Sequence, residues 1–303
     1  MFPCEGRDPD APQRPAALPD WTPAFAGEQG NEVVTPVFPT PAWLVGCGNM
    51  AGAMVAGWRA AGVDLSGVTA IRPSGTPVEG VRTVTALPEG EAPRFVMLGV
   101  KPQKLDEVAP GLAPYVGSET VLVSLLAGVS AATLRQRFQH ARAIVRAMPN
   151  LPVAERQGVT ALYCEDDDGE ARDQVERLMS VLGIAPWCVD EATFSAIGAV
   201  AGSGPAYVAR FAGALAKGGE KLGLAPELAR AIATQTLIGT AAMAARGEAT
   251  ADIARRVASP NGTTEQGLAV LDAAGGLQQL VDAMLAAAIV RGRQLAEEAA
   301  GRH

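Results

Sequence analysis

AWLVGCGNMAGAMVAGWRAAG, residues Ala42–Gly62, decides the fold. Ala42–Gly46 is a short apolar run that predicts a buried strand. Gly48–Gly62 is a run of small residues that predicts a helix stopped by a glycine. Between them lies Gly46-x-Gly48-x-x-Ala51. A strand, a glycine-rich turn and a helix in that order form a dinucleotide cradle. Gly46 permits the tight turn, Gly48 lets a pyrophosphate approach the backbone, and Ala51 allows close helix–strand packing. The phosphates then rest on the helix N-terminus, where free N–H groups and the dipole favour negative charge. A lone glycine-rich turn is a weak signal, and the flanking strand and helix strengthen it. Gly46, Cys47, Gly48, Asn49 and Met50 are accordingly assigned to a cofactor.

Working outward, further apolar runs predict strands at Val68–Arg72, Arg94–Val100, Thr120–Gly128, Arg142–Asn150, Gly158–Cys164 and Ala185–Asp190. Helical patterns alternate with them: one follows Pro102, one opens at the cap Ser130, and one is amphipathic over residues 169–183. This alternation predicts a Rossmann-type, mostly parallel sheet with helices on both faces over residues 42–190. From Glu191 no strand pattern survives. Residues 191–303 read as helices broken at Gly223–Ala225, Gly247–Thr250, Ser259–Gly262 and Gly275–Gly276. The fold class expected is α/β followed by an all-α C-terminal dimerisation domain. Ala192–Ala209 carries no charge, but its Gly, Ser, Thr and Pro205 argue against a membrane span. A helix without a polar face reads as buried on all sides, here at a homodimer interface.

Residues 1–41 differ from the rest. Nine of the 22 prolines lie there and no apolar period is present. The segment reads as a disordered extension and lacks the pattern of a signal peptide. Asp20–Glu28 resembles translated repeat elements ahead of bacterial genes, which predicts a native start near Val33 or Val34; intact-mass analysis of natively expressed protein tests this. The net charge of −7 argues against a nucleic-acid partner. Cys4, Cys47, Cys164 and Cys188 show no CxxC spacing, which suggests neither a metal site nor a disulfide framework and makes the cytoplasm the expected compartment.

The strand ends refine the site. Arg72-Pro73-Ser74-Gly75 stands where an acidic residue would bind a ribose 2′-hydroxyl. A cation and a hydroxyl suit a 2′-phosphate, so Arg72 and Ser74 favour NADPH, with NADH as the other option. Val100 and Lys101, and Ala127 and Gly128, lie at the C-terminal ends of central strands, where open sheets bind ligands. Asn150 either bonds the cofactor or shapes its turn. Only two histidines exist, His140 and the terminal His303. Ketone reduction requires a proton donor, commonly His or Lys. A protonated imine brings its own proton and needs only a hydrogen bond at nitrogen, which Ser or Thr supplies.

Taken in order, GCGNMAGAM, VKPQ, SLLAGVS, RAMPN, AGSGPAY and SPNGTTEQGL resemble the pyrroline-5-carboxylate reductase family from about Pro41 to Glu297. The resemblance implies reduction of 1-pyrroline-5-carboxylate to L-proline with NAD(P)H, the last step of proline biosynthesis. It implies an interlocked homodimer, which in the family assembles further into decamers. It places the substrate carboxylate at Ser259, Gly262 and Thr263, and the ring nitrogen at Thr264, the catalytic residue. It sets Glu191 facing the substrate and Arg256 near the cofactor. The chain departs from the family pattern at Leu151, where Thr is usual, and at Asn261, where Gly is usual. Gly198 and Ala201 replace hydroxyl residues of some relatives. The alternatives are a reductase of another cyclic imine or ketimine, and a non-catalytic NADPH-binding sensor. The intact Ser259–Thr264 loop argues against the sensor.

Overall fold

The computed structural model describes residues 35–90 and 92–300. Eight strands form one sheet: β1 (Ala42–Val45), β2 (Val68–Ile71), β3 (Arg82–Val84), β4 (Phe95–Leu98), β5 (Val121–Ser124), β6 (Ala143–Pro149), β7 (Gly158–Cys164) and β8 (Gly183–Ile184). Their order is β3-β2-β1-β4-β5-β6-β7-β8. The pairs are parallel except β6 with β7. Chain order reverses between β1 and β4, which opens a crevice at their C-terminal ends.

Continuous apolar runs suit strands covered on both faces. Leu44, Phe95, Met97, Val123 and Val145 point to one face, beneath Met54 and Trp58 of α1 (Asn49–Ala60) and Val175 and Leu178 of α4 (Gly169–Ser180). The alternate residues Trp43, Val45, Val96, Leu98 and Leu122 point to the other. There Leu105 and Leu112 of α2 (Leu105–Leu112) and Leu134 of α3 (Ala131–Arg137) cover them. Each large side chain so buried contributes about 1.5–3 kcal/mol of transfer free energy. Ser130 caps α3, its hydroxyl accepting from Thr133 N at 3.1 Å.

Two expectations are corrected and one strand is added. The strand expected at Ala185–Asp190 is instead the two-residue β8 followed by single bonds to β7. Pro186 has no N–H for a ladder, so only its carbonyl, accepting from Leu162 N, and Cys188 N continue the pairing. β3 has no apolar run to announce it, because it is an edge strand with an exposed Arg82. The extension expected over residues 1–41 lies mostly outside the described residues, as does the start near Val33 or Val34. At its end, however, Phe38 is buried edge-on against Trp58 (ring centroids 4.9 Å apart) and Phe95 (5.3 Å). Ordered packing therefore begins before Ala42. One aromatic among prolines gives no periodic signal.

The C-terminal region is helical: α5 (Glu191–Ile197), a π-turn at Gly198–Gly202, α6 (Gly204–Lys221), α7 (Pro226–Ala245), α8 (Thr250–Val257), α9 (Thr263–Leu271) and α10 (Leu277–Ala300). The four breaks fall where the glycines predict them. Total burial of the uncharged helices is not what the chain achieves alone. The buried cluster within α6 and α7 is Ala216, Ala229 and Ala233. Val208, Phe211 and Leu215, at i, i+3 and i+7 on α6, are all exposed. No helix among the described residues is long and apolar enough to cross a membrane.

Candidate active site

Gly46 has φ +81, and a Cβ there would lie 2.6 Å from Val100 Cγ1 and 2.8 Å from Val100 N. The turn after β1 thus presses directly on the turn after β4, and Val100 is a wall of this cradle. At Gly48 no described atom lies within 4 Å of a Cβ position, so its face is open. Gly48 starts α1, and among the described residues no side chain caps that helix. The first-turn N–H groups of Asn49, Met50 and Ala51 have no intrahelical acceptor and suit a pyrophosphate. Ala51 is buried against Gly99, where larger side chains on either residue would collide.

A cleft of about 330 Å³ continues from Cys47, Gly48 and Asn49 along α1 to Arg59, with Arg72 and Glu79 on its other side. Arg72 Nη1 donates to Thr76 O at 3.0 Å, so its guanidinium is aimed by its own turn. Ser74 Oγ lies 3.0 Å from Thr76 Oγ1. Burial pushes the Cys47 thiol above its ordinary pKa, and Arg72 opposes that shift. Lys101 is exposed, immediately before the short 3₁₀ turn Pro102–Lys104.

Beyond β5, Ala127 is exposed and Gly128 adopts φ +75. A Cβ on Gly128 would lie 3.1 Å from Ala296 Cα, so α10 packs on this lip. A second cavity of about 300 Å³ lies there, lined by Pro102, Leu105, Gly128, Thr133 and Ala296 among others.

Asn150 is buried, and the structure favours the turn-shaping reading over cofactor contact. Its Oδ1 accepts from Val159 N at 2.8 Å and its Nδ2 donates to Ala201 O at 2.9 Å. It ties the end of β6 to β7 and to the π-turn. Glu191, expected to face substrate, is engaged at both oxygens: Arg146 Nη1 donates to Oε2 at 2.6 Å and Ala131 N to Oε1 at 3.5 Å. The Arg146 guanidinium also lies 4.3 Å from the Phe194 ring centroid. Sequence reasoning assigned Arg146 no role. An arginine in the middle of an apolar strand was the available signal.

Ser259–Gly262 lies between α8 and α9, and Thr263 and Thr264 open α9. Asn261 takes φ +59, which Asn tolerates better than most residues, so its replacement of Gly is accommodated. Gly262 N donates to Ser259 O at 2.9 Å, and a Cβ on Gly262 would overlap Ser259 Oγ. Glu265 reaches back from α9 to accept from Asn261 N at 2.6 Å, a bond of capping-box type that sequence reasoning did not anticipate. Among the described residues no side chain caps α9 at Gly262. Its first turn therefore presents N–H groups with Thr263 and Thr264 beside them. Arg256 pairs with Glu248 at 3.0 Å. Local bonds tie Ser259 to Gly262, Asn261 to Glu265 and Gly262 to Gln266, and none of these bonds joins the loop to the cradle of α1.

A relative named pyrroline-5-carboxylate reductase, from Pseudomonas aeruginosa, is 39% identical over 264 residues, covering 84% of this chain and 96% of its own length. The chain belongs to the pyrroline-5-carboxylate reductase family. The family model described as pyrroline-5-carboxylate reductase dimerisation matches residues 191–295. Pyrroline-5-carboxylate reductase 3 of Macaca fascicularis is 33% identical, covering 84% of this chain and 96% of its own. Among solved structures, a pyrroline-5-carboxylate reductase from Coxiella burnetii superposes with a TM-score of 0.78 at 33% identity, covering 85% of this chain and 99% of that one. The chain is thus an NAD(P)H-dependent oxidoreductase of this family, with a Rossmann-type sheet followed by a helical region that carries the family's dimerisation sequence.

Proposed function

We propose that the chain reduces 1-pyrroline-5-carboxylate to L-proline, with NADPH preferred over NADH, as the last step of proline biosynthesis. The observation that carries this reading is the start of α9: its cap residue Gly262 offers no side chain, Ser259 precedes it, and Thr263 and Thr264 stand in its first turn. Its N–H groups and the hydroxyl of Ser259 suit a carboxylate, the one anionic group of this substrate. Thr264 is the catalytic hydroxyl. It accepts a hydrogen bond from the N–H of the protonated ring imine and holds that C=N bond in place.

The nicotinamide cofactor supplies the hydride when bound. The open face of Gly48 and the free first turn of α1 fit its pyrophosphate, and Gly46, Cys47, Asn49 and Met50 complete that cradle. Arg72 and Ser74 serve the 2′-phosphate. Val100, Lys101, Ala127 and Gly128 line the crevice toward the ring. Hydride addition at the imine carbon leaves a neutral secondary amine, so the protein need not deliver a proton in that step. This suits a chain with only two histidines.

Residues 42–190 form the cofactor domain and 191–303 the substrate and dimerisation domain. The exposed apolar stripe on α6 supports a homodimer, and decamer assembly and a cytoplasmic location follow the family reading. Arg256 and Glu191 act from the edge of the site, Arg256 toward the cofactor and Glu191 with the carboxylate that also holds Arg146 and Ala131 N.

Proline formation from 1-pyrroline-5-carboxylate, measured with NADPH and with NADH, tests the proposal. Turnover with both and a higher kcat/KM for NADPH is expected. A stronger rate on a six-membered cyclic imino acid would move the assignment to a related imine reductase. Cofactor binding with no turnover of either ring would leave a sensor.

A further inference from the structure

The cleft beside the cradle carries three charged side chains. Arg72 and Arg59 both line it, and Glu79 lies across from α1. Arg59 Nη2 donates to Glu79 Oε1 at 2.7 Å. Asn49, Gly52 and Arg59 fall on one side of α1, at spacings of three and seven residues. Apart from α1's own backbone, no described atom lies within 4 Å of a Cβ position on Gly52, so the groove is open at that point. Arg59 stands in the last turn of α1, at the end of this groove away from the cradle. Its stem is seated on Gly80, whose φ is +79 and where a Cβ would lie 2.6 Å from Arg59 Cδ.

We infer that Arg59 is a second ligand for the cofactor's 2′-phosphate and that Glu79 holds it until the phosphate arrives, so that the pair sets the preference between NADPH and NADH. This rests on the dinucleotide reading of the cleft. The exchange follows from charge. A phosphate monoester carries about −1.5 to −2 at neutral pH, a carboxylate only −1, and a guanidinium can donate two parallel N–H bonds to either. The existing pair is cheap to open, because the Glu79 side chain is 82% exposed and the Arg59 side chain 38% exposed. Once released, Glu79 swings into solvent, and Arg59 and Arg72 hold the phosphate from two sides. With NADH no 2′-phosphate competes, and the Arg59–Glu79 pair stays closed.

The test is cofactor titration by nicotinamide fluorescence on the intact chain and on Arg59→Met and Glu79→Gln. 2′-Phosphoadenosine 5′-phosphate and AMP serve as a second probe pair, followed by calorimetry. Arg59→Met should weaken NADPH binding by about tenfold, leave NADH binding within about twofold, and abolish most of the preference for the 2′-phosphorylated nucleotide. Glu79→Gln should tighten NADPH by about threefold, since Arg59 no longer has a charged competitor. An NADPH-to-NADH affinity ratio unchanged in both variants would overturn the inference while leaving the cofactor site intact. If the unaltered chain binds neither dinucleotide, the cofactor reading fails and this inference with it. Both side chains are at the surface, and circular dichroism confirms that each variant is folded before titration.

Discussion

Arg146 Nη1 lies 2.6 Å from Glu191 Oε2, joining the middle of a sheet strand to the first residue of the helical region. The arginine side chain is 8% exposed and the glutamate 41%. Removing one partner strands a charge in the less solvated position. Glu191→Ala should therefore destabilise the fold by about 2–3 kcal/mol, below the range for a fully buried pair because Glu191 keeps some solvent. Urea unfolding of both proteins measures this, and a midpoint equal to the parent's would remove the pair from the account.

Gly46 and Gly48 should separate fold from function. Gly46→Ala forces a Cβ to 2.6 Å from Val100 Cγ1 at a positive φ, and a loss of about 2 kcal/mol or more is expected. Gly48→Ala meets open space and should fold with near-parental stability. It should nevertheless weaken dinucleotide binding by about tenfold, because the added methyl would stand on the proposed approach of the pyrophosphate. Thermal melts and cofactor titrations of the two variants check both halves.

In the proposed role, in which its hydroxyl addresses the imine and not the dinucleotide, Thr264→Ala should lower kcat by about 10²-fold or more while cofactor affinity holds. Serine at this position should restore much of the rate. Unchanged turnover in the alanine variant would refute the role given to Thr264.

The Cys47 thiol is held above its ordinary pKa by burial. Thiolate is the reactive form, so alkylation near neutral pH should be slower than for a free thiol, and its rate should rise at higher pH. Mass-mapped iodoacetamide labelling distinguishes Cys47 from the other three cysteines. Labelling of Cys47 as fast as a model thiol at pH 7.5 would contradict the buried cradle.

Asp168 and Asp190 are helix N-caps with pKa values lowered, first by the backbone N–H groups of Ala171 and Thr193. Arg142 lowers Asp168 further. A carboxylate whose folded pKa lies below its unfolded value of about 3.9 contributes its full stabilisation above that value. The contribution is lost as pH falls through the folded pKa. Asparagine caps equally well without titrating. Asp168→Asn and Asp190→Asn should therefore flatten the fall in stability below about pH 4, followed as the urea midpoint against pH.

The sheet domain was legible in the sequence because its information is local. Apolar runs mark doubly covered strands. Gly46-x-Gly48 marks the cradle, and the four helix breaks each sit at their glycines. Asn261 could likewise be read as a residue able to take a positive φ. Tertiary structure decided what depends on distant partners. Phe38 joins the core only because Trp58 and Phe95 meet it there, and the edge strand β3 exists only because β2 offers it hydrogen bonds. Asn150 carries groups that could serve a ligand as well as a turn. Only the approach of Val159 and Ala201 shows where its bonds go. The same holds for Arg146 with Glu191 and for Arg59 with Glu79, separated by 45 and 20 residues. Periodicity and backbone conformation are properties of neighbouring residues, whereas burial and charge pairing are set by whatever the folded chain brings alongside.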